Sequence, residues 1–332
     1  MLNKKGILFW LFLENKEDNI MNFSLKQIIK NNFGMYKICM LLIEKYNKIR
    51  WEMAMKNGGE QAFSLISREY KKHTGKILNN PPISYTEKIQ FAKIYDSTEF
   101  KAMLTDKFEV RKWIKDKIGE QYLIPLLGVW DKFDDIEFQA LPKSFVLKTN
   151  NASGTNLVVK DKQLMKLHEA RKFFDLWIKQ DFAFSGRGFE MHYSHITPKI
   201  IAEKYIVDSN GELNDYKFLC FDGVPYYCWV DVGRFTDHRR NVYDMNWVLQ
   251  PWNQYSYRNT EQILDKPDNF DDMIRIVKTL CKGIPQVRVD LYSVNGKIYF
   301  GEMTFTNGKG YELIYPEKYN VMLGSLWKQK FY

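Results

Sequence analysis

The sequence predicts an α+β protein with more than one lobe, carried behind an N-terminal helical extension. Three observations predict it. Residues 22–78 place Met35, Ile38, Leu41, Leu42, Tyr46, Ile49 and Met53 at helical spacing, and Gly58-Gly59 interrupts the run. Residues 215–232 alternate as two strands, Asp215–Phe221 and Val224–Val232, around the turn Asp222-Gly223, which reads as an antiparallel meander. Residues 286–307, QVRVDLYSVNGKIYFGEMTFTN, read as a hairpin, because Asn295-Gly296 between β-branched and aromatic runs is the strongest short-range hairpin signal.

A chain of 332 residues can bury a substantial core, and 45% apolar with 27% charged residues is ordinary for a globular protein. The net charge of +9 points to polyanionic company: nucleotide phosphates, acidic glycans, anionic lipid or nucleic acid. No zinc-finger spacing, RNA-binding aromatic motif or basic zipper is present, so nucleic acid is set aside. Cys39, Cys220, Cys228 and Cys281 form neither a disulfide framework nor a metal cage, and reduced thiols in a cytoplasmic protein are expected.

The extension comes first in the chain. Gly6–Leu13 (GILFWLFL) is too short for a bilayer, which needs about 20 residues. Lys4 and Lys5 precede it, but no small-residue cleavage site follows, so it reads as a hydrophobic anchor or partner-binding tail upstream of a later start at Met21. The helix of residues 35–53 mixes its apolar positions with Lys37, Lys45, Lys48 and Arg50. It reads either as an accessory core helix or as one lying on an anionic membrane surface at the inner face.

Asn79-Asn80-Pro81-Pro82 breaks the chain and marks the first domain boundary, with 1–79 before it and 80–332 after. Ser84-Tyr85-Thr86-Glu87 is a capping box that opens a helix to about Tyr95. A second helix is expected from near Thr105, carrying Asp106, Lys107, Val110, Arg111 and Ile114. Ile124–Trp130 is strand-like, and Ser144–Thr149 is a buried strand with Lys148 near its end. The loop Asn150–Asn156 that follows is small and polar, so its amides and hydroxyls can converge on an anion. Next come a strand Leu157–Lys160, an amphipathic helix Leu164–Ile178 and a glycine- and aromatic-rich connection Phe182–Tyr193. The strand Lys199–Val207 has Glu203-Lys204 inside an apolar run, and a turn Asp208–Gly211 leads into the meander. A polar loop with Arg234, Asp237, Arg239 and Arg240, the aromatic stretch Tyr243–Tyr257 and a helix Asp271–Lys282 lead to the hairpin.

In that hairpin a three-residue loop Val294-Asn295-Gly296 would set Phe300 opposite Asp290 and Glu302 opposite Arg288, with Ile298, Phe300, Glu302 and Thr304 on one face. Two acids in a buried β setting are costly unless a cation joins them. A hard divalent ion such as Mg²⁺ arriving with a nucleotide phosphate suits oxygen ligands. A surface hairpin with a cross-strand Arg288–Glu302 pair is the plainer alternative. The ordered set of Lys107, Arg111, Lys148, the small-residue loop, Glu203-Lys204, Lys217, Arg288, Asp290 and Glu302 favours the nucleotide site.

With these segments in place the chain resembles the TupA-like ATP-grasp family, linked to teichuronopeptide and surface-polysaccharide biosynthesis in the cell envelope. The resemblance runs over roughly residues 80–330: PPISYTEKIQ, LTDKFEVRKWI, YLIPLLGVWD, LPKSFVLKTNNASG, IIAEKYI, DYKFLCFDG, VRVDLYSVNGKIYFGEMTFTNGKGYE and LGSLW. It implies an ATP-grasp fold, two α+β subdomains around a nucleotide cleft, with 80–143 as the N-terminal part, 144–206 as the nucleotide-grasping subdomain and 207–332 as the metal-binding, catalytic one. It implies ATP and Mg²⁺ as cofactors and a carboxylate–amine ligase working through an acyl phosphate, on small-molecule or glycan substrates.

By that resemblance Lys107, Arg111 and Lys148 look like phosphate contacts, and Asn151, Ser153, Gly154 and Thr155 like part of the loop over the triphosphate. Glu203, Lys204 and Ile206 look like the adenine-contacting linker, and Lys217 like a γ-phosphate contact. Asp290, Glu302 and Thr304 look like Mg²⁺ ligands, and Arg288 like the stabiliser of the acyl-phosphate transition state. Thr304 stands where relatives often carry Asn, Asn151 where they often carry His, and Asn307 where they often carry Pro. A glycosyltransferase using a nucleotide sugar and a non-catalytic nucleotide-binding scaffold in a glycan-assembly complex are the alternatives, although no Asp-x-Asp ends a buried strand. Tyr243–Tyr257 with Arg234, Arg239 and Arg240 is the candidate surface for a glycan or acidic acceptor.

Overall fold

A computed structural model of the protein describes residues 32–56, 58–208, 213–233, 237–254, 256–261 and 263–331. The run Gly6–Leu13, Met21, the first ten residues of the 22–78 stretch, part of the Asp208–Gly211 turn, Arg234 and Tyr255 lie outside these residues. The helices are α1 (Phe33–Lys56), α2 (Gly59–Thr74), α3 (Tyr85–Tyr95), α4 (Glu99–Thr105), α5 (Val110–Ile118), α6 (Leu167–Trp177), α7 (Phe270–Cys281) and α8 (Glu317–Leu326). The strands are β1 (Leu126–Trp130), β2 (Phe145–Thr149), β3 (Asn156–Val159), β4 (Ile200–Lys204), β5 (Asn214–Phe221), β6 (Val224–Val232), β7 (Arg239–Asp244), β8 (Asn253–Gln254), β9 (Gln286–Val294), β10 (Lys297–Thr304) and β11 (Ile314–Tyr315). Among the described residues no helix is long and apolar enough to cross a membrane.

The chain divides into two units. The first holds the described residues up to 56, with Leu126–Phe189 and Thr197–Tyr205; the second holds Gly58–Pro125, Glu190–Ile196 and Ile206–Tyr332. The N-terminal stretch expected as one extension is therefore shared, α1 lying in the first unit and α2 in the second. The strand at Leu126–Trp130 likewise falls in the unit that holds β2 and β4, because it pairs with β4.

In the first unit an antiparallel sheet of order β1-β4-β2-β3 packs Phe145, Leu147, Val159, Ile200 and Ala202 against Ala170 and Phe174 of α6. Helix α1 buries Met40, Asn47, Trp51 and Ala54, with the Trp51 ring stacked 5.5 Å from Phe189 and Asn47 Nδ2 donating to the Phe184 carbonyl at 3.0 Å. Its opposite side bears a second apolar row that stays exposed.

In the second unit an antiparallel sheet of order β10-β9-β5-β6-β7 has two unlike faces. One is apolar: Phe218, Cys228, Val230, Val287, Val289, Leu291 and Met303 pack with Phe270, Met273, Val277 and Leu280 of α7. The capping box holds α3, as Ser84 N and Ile83 N both donate to the Glu87 carboxylate, at 2.8 and 2.9 Å. Helix α2 joins this unit by burying Ala62, Leu65, Ile66 and Tyr70, and Tyr70 Oη lies 3.1 Å from Thr86 Oγ1.

Two expectations are corrected. The helix expected from near Thr105 starts only at Val110, leaving Asp106 and Lys107 in the turn after α4, where the Asp106 carboxylate accepts from the N–H groups of Phe108 (2.7 Å) and Glu109 (3.1 Å). Arg239 and Arg240, expected in a loop, lie in β7, where Arg240 is buried.

Candidate active site

The site on the second unit begins with a register fault. Asn295 (φ 49°) and Gly296 (φ 77°) make a two-residue turn, not the expected three-residue loop, so Lys297 pairs with Val294 and Phe300 with Leu291. Regular pairing would then set Gly301 against Asp290, but a bulge between Phe300 and Glu302 sets Glu302 there and Thr304 against Arg288. A Cβ at Gly301 would sit 3.0 Å from the Asp290 carbonyl oxygen and 3.1 Å from the Tyr292 ring, so the bulge has little room for a side chain at this position. Ile298 and Phe300 accordingly join the apolar core, while Glu302 and Thr304 share the other face with Asp290 and Arg288.

Period two carries that polar face across the sheet. Lys217 pairs with Asp290, Asp215 with Asp231, and Asp231 with Arg240. Arg288 is the clamp: Nε donates to Asp290 Oδ1 and Nη2 to Oδ2, both at 2.7 Å, while Nη2 also reaches Glu302 Oε1 and Thr304 Oγ1 at 3.0 Å. Its Nη1 donates to Asn307 Oδ1. Lys217 Nζ donates to Asp290 Oδ2 at 3.0 Å and to Asp215, and stands 3.7 Å from Asp231. Asp231 in turn accepts from Arg240 Nε (2.5 Å) and Nη2 (2.7 Å), and the Arg240 guanidinium stacks 3.8 Å from the Tyr257 ring centre.

Apart from Glu302, these charged groups are buried. Breaking one such pair strands a charge, so the network stands or falls together. Burial raises the Asp290 carboxyl, against Arg288 and Lys217. Burial would also raise Glu302, but Lys107, Arg288 and Lys217 outweigh it and bring it down to about 2. Asp231 falls well below the usual carboxylate range, because Arg240 and His238 outweigh its burial. The Arg288 guanidinium is held charged against its burial by Asp290 and Glu302.

A divalent ion can be tested against this donor set. Asp290, Glu302 and Thr304 supply hard oxygens, and Glu302 keeps 31% of its side chain exposed at the edge of the row. Among the described residues, no group of three or more His, Cys, Asp or Glu could hold a metal. Two carboxylates and a hydroxyl fit an ion that brings further oxygens with it, as Mg²⁺ does on a phosphate.

The first unit carries its own candidate residues. Lys148 Nζ lies 2.5 Å from Glu203 Oε2, so Glu203 is an ion-pair partner on β4. The Asn150–Thr155 loop is tied at both ends. Asn150 Nδ2 donates to the Thr197 carbonyl (3.0 Å) and Lys199 N donates to Asn150 Oδ1 (2.7 Å), while Thr149 and Thr155 hydroxyls meet at 2.6 Å. Ser153 and Gly154 are exposed between these ties, whereas Asn151 is buried with its Oδ1 unpartnered among the described residues. Lys204 is exposed at the end of β4, and Ile206 lies past the strand.

Several expected residues have other duties. Arg111 Nη2 donates to the Ile124 carbonyl at 2.8 Å. Arg239 pairs with Asp237 at 2.6 Å, and Arg240 lies inside the network instead of on an acceptor surface. Tyr243 is buried and stacks 4.2 Å from Trp247, so this part of the aromatic stretch is core. Sequence reasoning missed Asp215 and Asp231. Their signal was the alternation Asp215-Tyr216-Lys217, which places Asp215 on the lysine's face.

The TupA-like ATPgrasp family model matches residues 87–328, more than half of the chain. Among solved structures, the chain is similar to the D-alanine–D-alanine ligase of Bacillus anthracis complexed with ATP, at 17% identity and TM-score 0.36, over 61% of this chain and 54% of that one. It is also similar to the ADP complex of purK, N5-carboxyaminoimidazole ribonucleotide synthetase, at 13% identity and TM-score 0.37, over 62% and 46%. A third is the ATP-grasp ligase PsnB complexed with minimal precursor, Mg and ADP, at 14% identity and TM-score 0.37, over 70% and 62%. The chain spans about half the length of the first of these structures that it matches. No curated protein matches it.

Proposed function

The chain belongs to the TupA-like ATP-grasp family, and on that premise we propose that it is a cytoplasmic ATP- and Mg²⁺-dependent ligase. It joins a carboxylate to an amine through an acyl phosphate, one of the two groups being borne by a cell-envelope polysaccharide or its precursor. The observation that carries this reading is the Asp290–Glu302 pair, set opposite by the bulge and clamped by Arg288 and Lys217.

In the first step a carboxylate oxygen attacks the γ-phosphorus and ADP leaves. In the second the amine attacks the acyl carbon, inorganic phosphate leaves, and the amine gives up a proton. Asp290, Glu302 and Thr304 would hold Mg²⁺, which would neutralise phosphate charge when bound. Lys217 is already oriented by Asp215 and Asp290, so its ammonium meets a γ-phosphate with little reorganisation. Arg288 presents a fixed guanidinium to the oxygens on which charge develops. On the first unit, Lys148 and the Asn151–Thr155 loop take phosphate oxygens, Ser153 and Gly154 through an exposed backbone. Glu203 and Lys204 at the end of β4, with Ile206 past the strand, meet the adenine edge.

The test is a phosphate-release screen with ATP and Mg²⁺ across acidic sugars and amino acids, with amines as acceptors. Release that needs both a carboxylate and an amine, and that falls at least about a hundredfold in Asp290→Asn, is the expected result. Consumption of a UDP-sugar without ATP turnover would overturn the reading in favour of glycosyl transfer.

A further inference from the structure

Helix α1 is apolar on two opposite sides. Met40, Trp51 and Ala54 face inward, yet Met35, Ile38, Leu42, Tyr46, Ile49 and Met53 form a second row at spacings of three and four. Ile38, Leu42 and Met53 are 59%, 61% and 60% exposed. From Met35 to Met53 the row runs about 27 Å at about 1.5 Å per residue, and a contiguous apolar strip of that length marks an interaction surface.

Charge decides what covers it. At about 100° per residue, Lys45 and Lys56 fall along one margin of the row and Arg50 along the other. The Arg50 guanidinium lies 5.4 Å from the ring centre of Tyr46, inside the row. Lys37, Lys45, Lys48, Arg50 and Lys56 stand against Glu44 and Glu52, five cations to two acids, and Glu44 is turned inward, accepting from Asp181 N at 3.0 Å. A second copy meeting this face symmetrically would oppose basic margins to basic margins. Residues 1–31, directly upstream, carry five lysines against three acids and their own apolar run Gly6–Leu13, so they share the sign of the face instead of complementing it.

We propose that the exposed row of α1, with its basic margins, docks the protein on an anionic lipid bilayer surface. The apolar side chains enter the boundary between headgroups and acyl chains, and Lys45, Arg50 and Lys56 meet lipid phosphates. Stable attachment of a peripheral protein takes two such signals, and α1 supplies both, an exposed apolar row and the cations along its margins.

The test is co-sedimentation of the full chain with vesicles of phosphatidylcholine alone and of phosphatidylcholine mixed with phosphatidylglycerol. The expected result is binding to the mixed vesicles that weakens as salt rises, and at least about tenfold weaker binding by Ile38→Glu with Leu42→Glu. Both positions are exposed, so the thermal midpoint should not move. Equal binding to both vesicle types, or undiminished binding by the double variant, overturns the proposal. Absence of vesicle binding overturns it too; a dimer in sedimentation velocity that the same substitutions dissolve would then give the face to a second copy. None of these readings depends on ligase activity, so the two proposals fail separately.

Discussion

Glu302 stands directly across from Asp290 only because one residue, Gly301, is bulged out of the β9–β10 ladder. The pairing of two acids is thus a backbone property as much as a side-chain one. Gly301→Val should push its Cβ into the Asp290 carbonyl and the Tyr292 ring. The expected cost is about 1–3 kcal/mol of stability, together with a loss of Mg²⁺-dependent turnover. Calorimetry and Mg²⁺ titration of activity check it; normal Mg²⁺ dependence in the variant would mean that the register does not matter.

Arg288→Met should leave Asp290, Glu302 and Asp215 short of positive charge. A broken buried pair costs about 3–5 kcal/mol, so the thermal midpoint should fall sharply. Mg²⁺ should restore part of that fall by replacing the missing charge, whereas K⁺ at equal ionic strength should not. Melting curves with each salt decide; equal recovery by both would speak against a divalent site beside Arg288.

Lys148→Ala should weaken nucleotide binding by about 1.5–3 kcal/mol, roughly tenfold to a hundredfold. Lys143 is mostly exposed and pairs with Asp161 at 3.4 Å, so Lys143→Ala should change little. Isothermal titration with ATP separates them, and equal losses would reduce the role of Lys148 to bulk charge.

Acid should act on the network in a defined sense. Glu302 falls from 4.5 to about 2 on folding, and Asp231 also falls, so the unfolded chain takes up their protons first. Their contribution is full above about pH 4.5 and is lost as pH drops towards 2. Asp290, raised by burial, works the other way and binds its proton more tightly in the folded state. The thermal midpoint should therefore decline below about pH 4.5, and Glu302→Gln should flatten that decline. An unchanged acid limb in the variant would show that Glu302 is not held low.

A chain beginning at Asn79 should lose the second unit's stability, because α2 goes with the deleted residues. Ile66→Ala within the full chain should cost about 2–5 kcal/mol. Denaturant melts check both, and an unaffected truncation would show that α2 is an appendage.

Much of this architecture was legible in residue order. Ser84 with Glu87 marked the start of α3, and Asp222-Gly223 and Asn295-Gly296 marked two strand reversals, because caps and tight turns act over three or four residues. The bulge was not legible. What disfavours a side chain at 301 is the approach of the Asp290 carbonyl from the neighbouring strand, and that is a long-range fact. The turn at Asp106 that delays α5 was hidden because the residues around it suit a helix, and the side-chain acceptor competes with the helix only locally. Arg239 and Arg240 read as loop because charge in a strand looks unfavourable until Asp231 on the next strand is known. Arg288 with Asp290, and Glu302 with Thr304, could each be paired from period two, but that the two pairs and Lys217 share one face rests on the bulge and on the pairing of β5 with β9. Asp215 and Asp231 escaped because nothing in their own segments says which charges they will meet.

The two unlike faces of the five-stranded sheet bear on how relatives of this protein can diverge. In β5 and β9 Lys217, Arg288 and Asp290 have apolar core neighbours on both sides, Tyr216 and Phe218 around Lys217 and Val289 and Leu291 around Asp290. Inserting or deleting one residue in either strand, without a bulge such as the one at Gly301 to absorb it, would exchange the core for the ion network beyond that point. Length changes are therefore confined to the strand ends, such as the segments at 205–213 and 233–238. New substrate preferences must arise there or by one-for-one replacement along the row, so a family tree built on gaps would follow the loops while one built on substitutions would follow the chemistry.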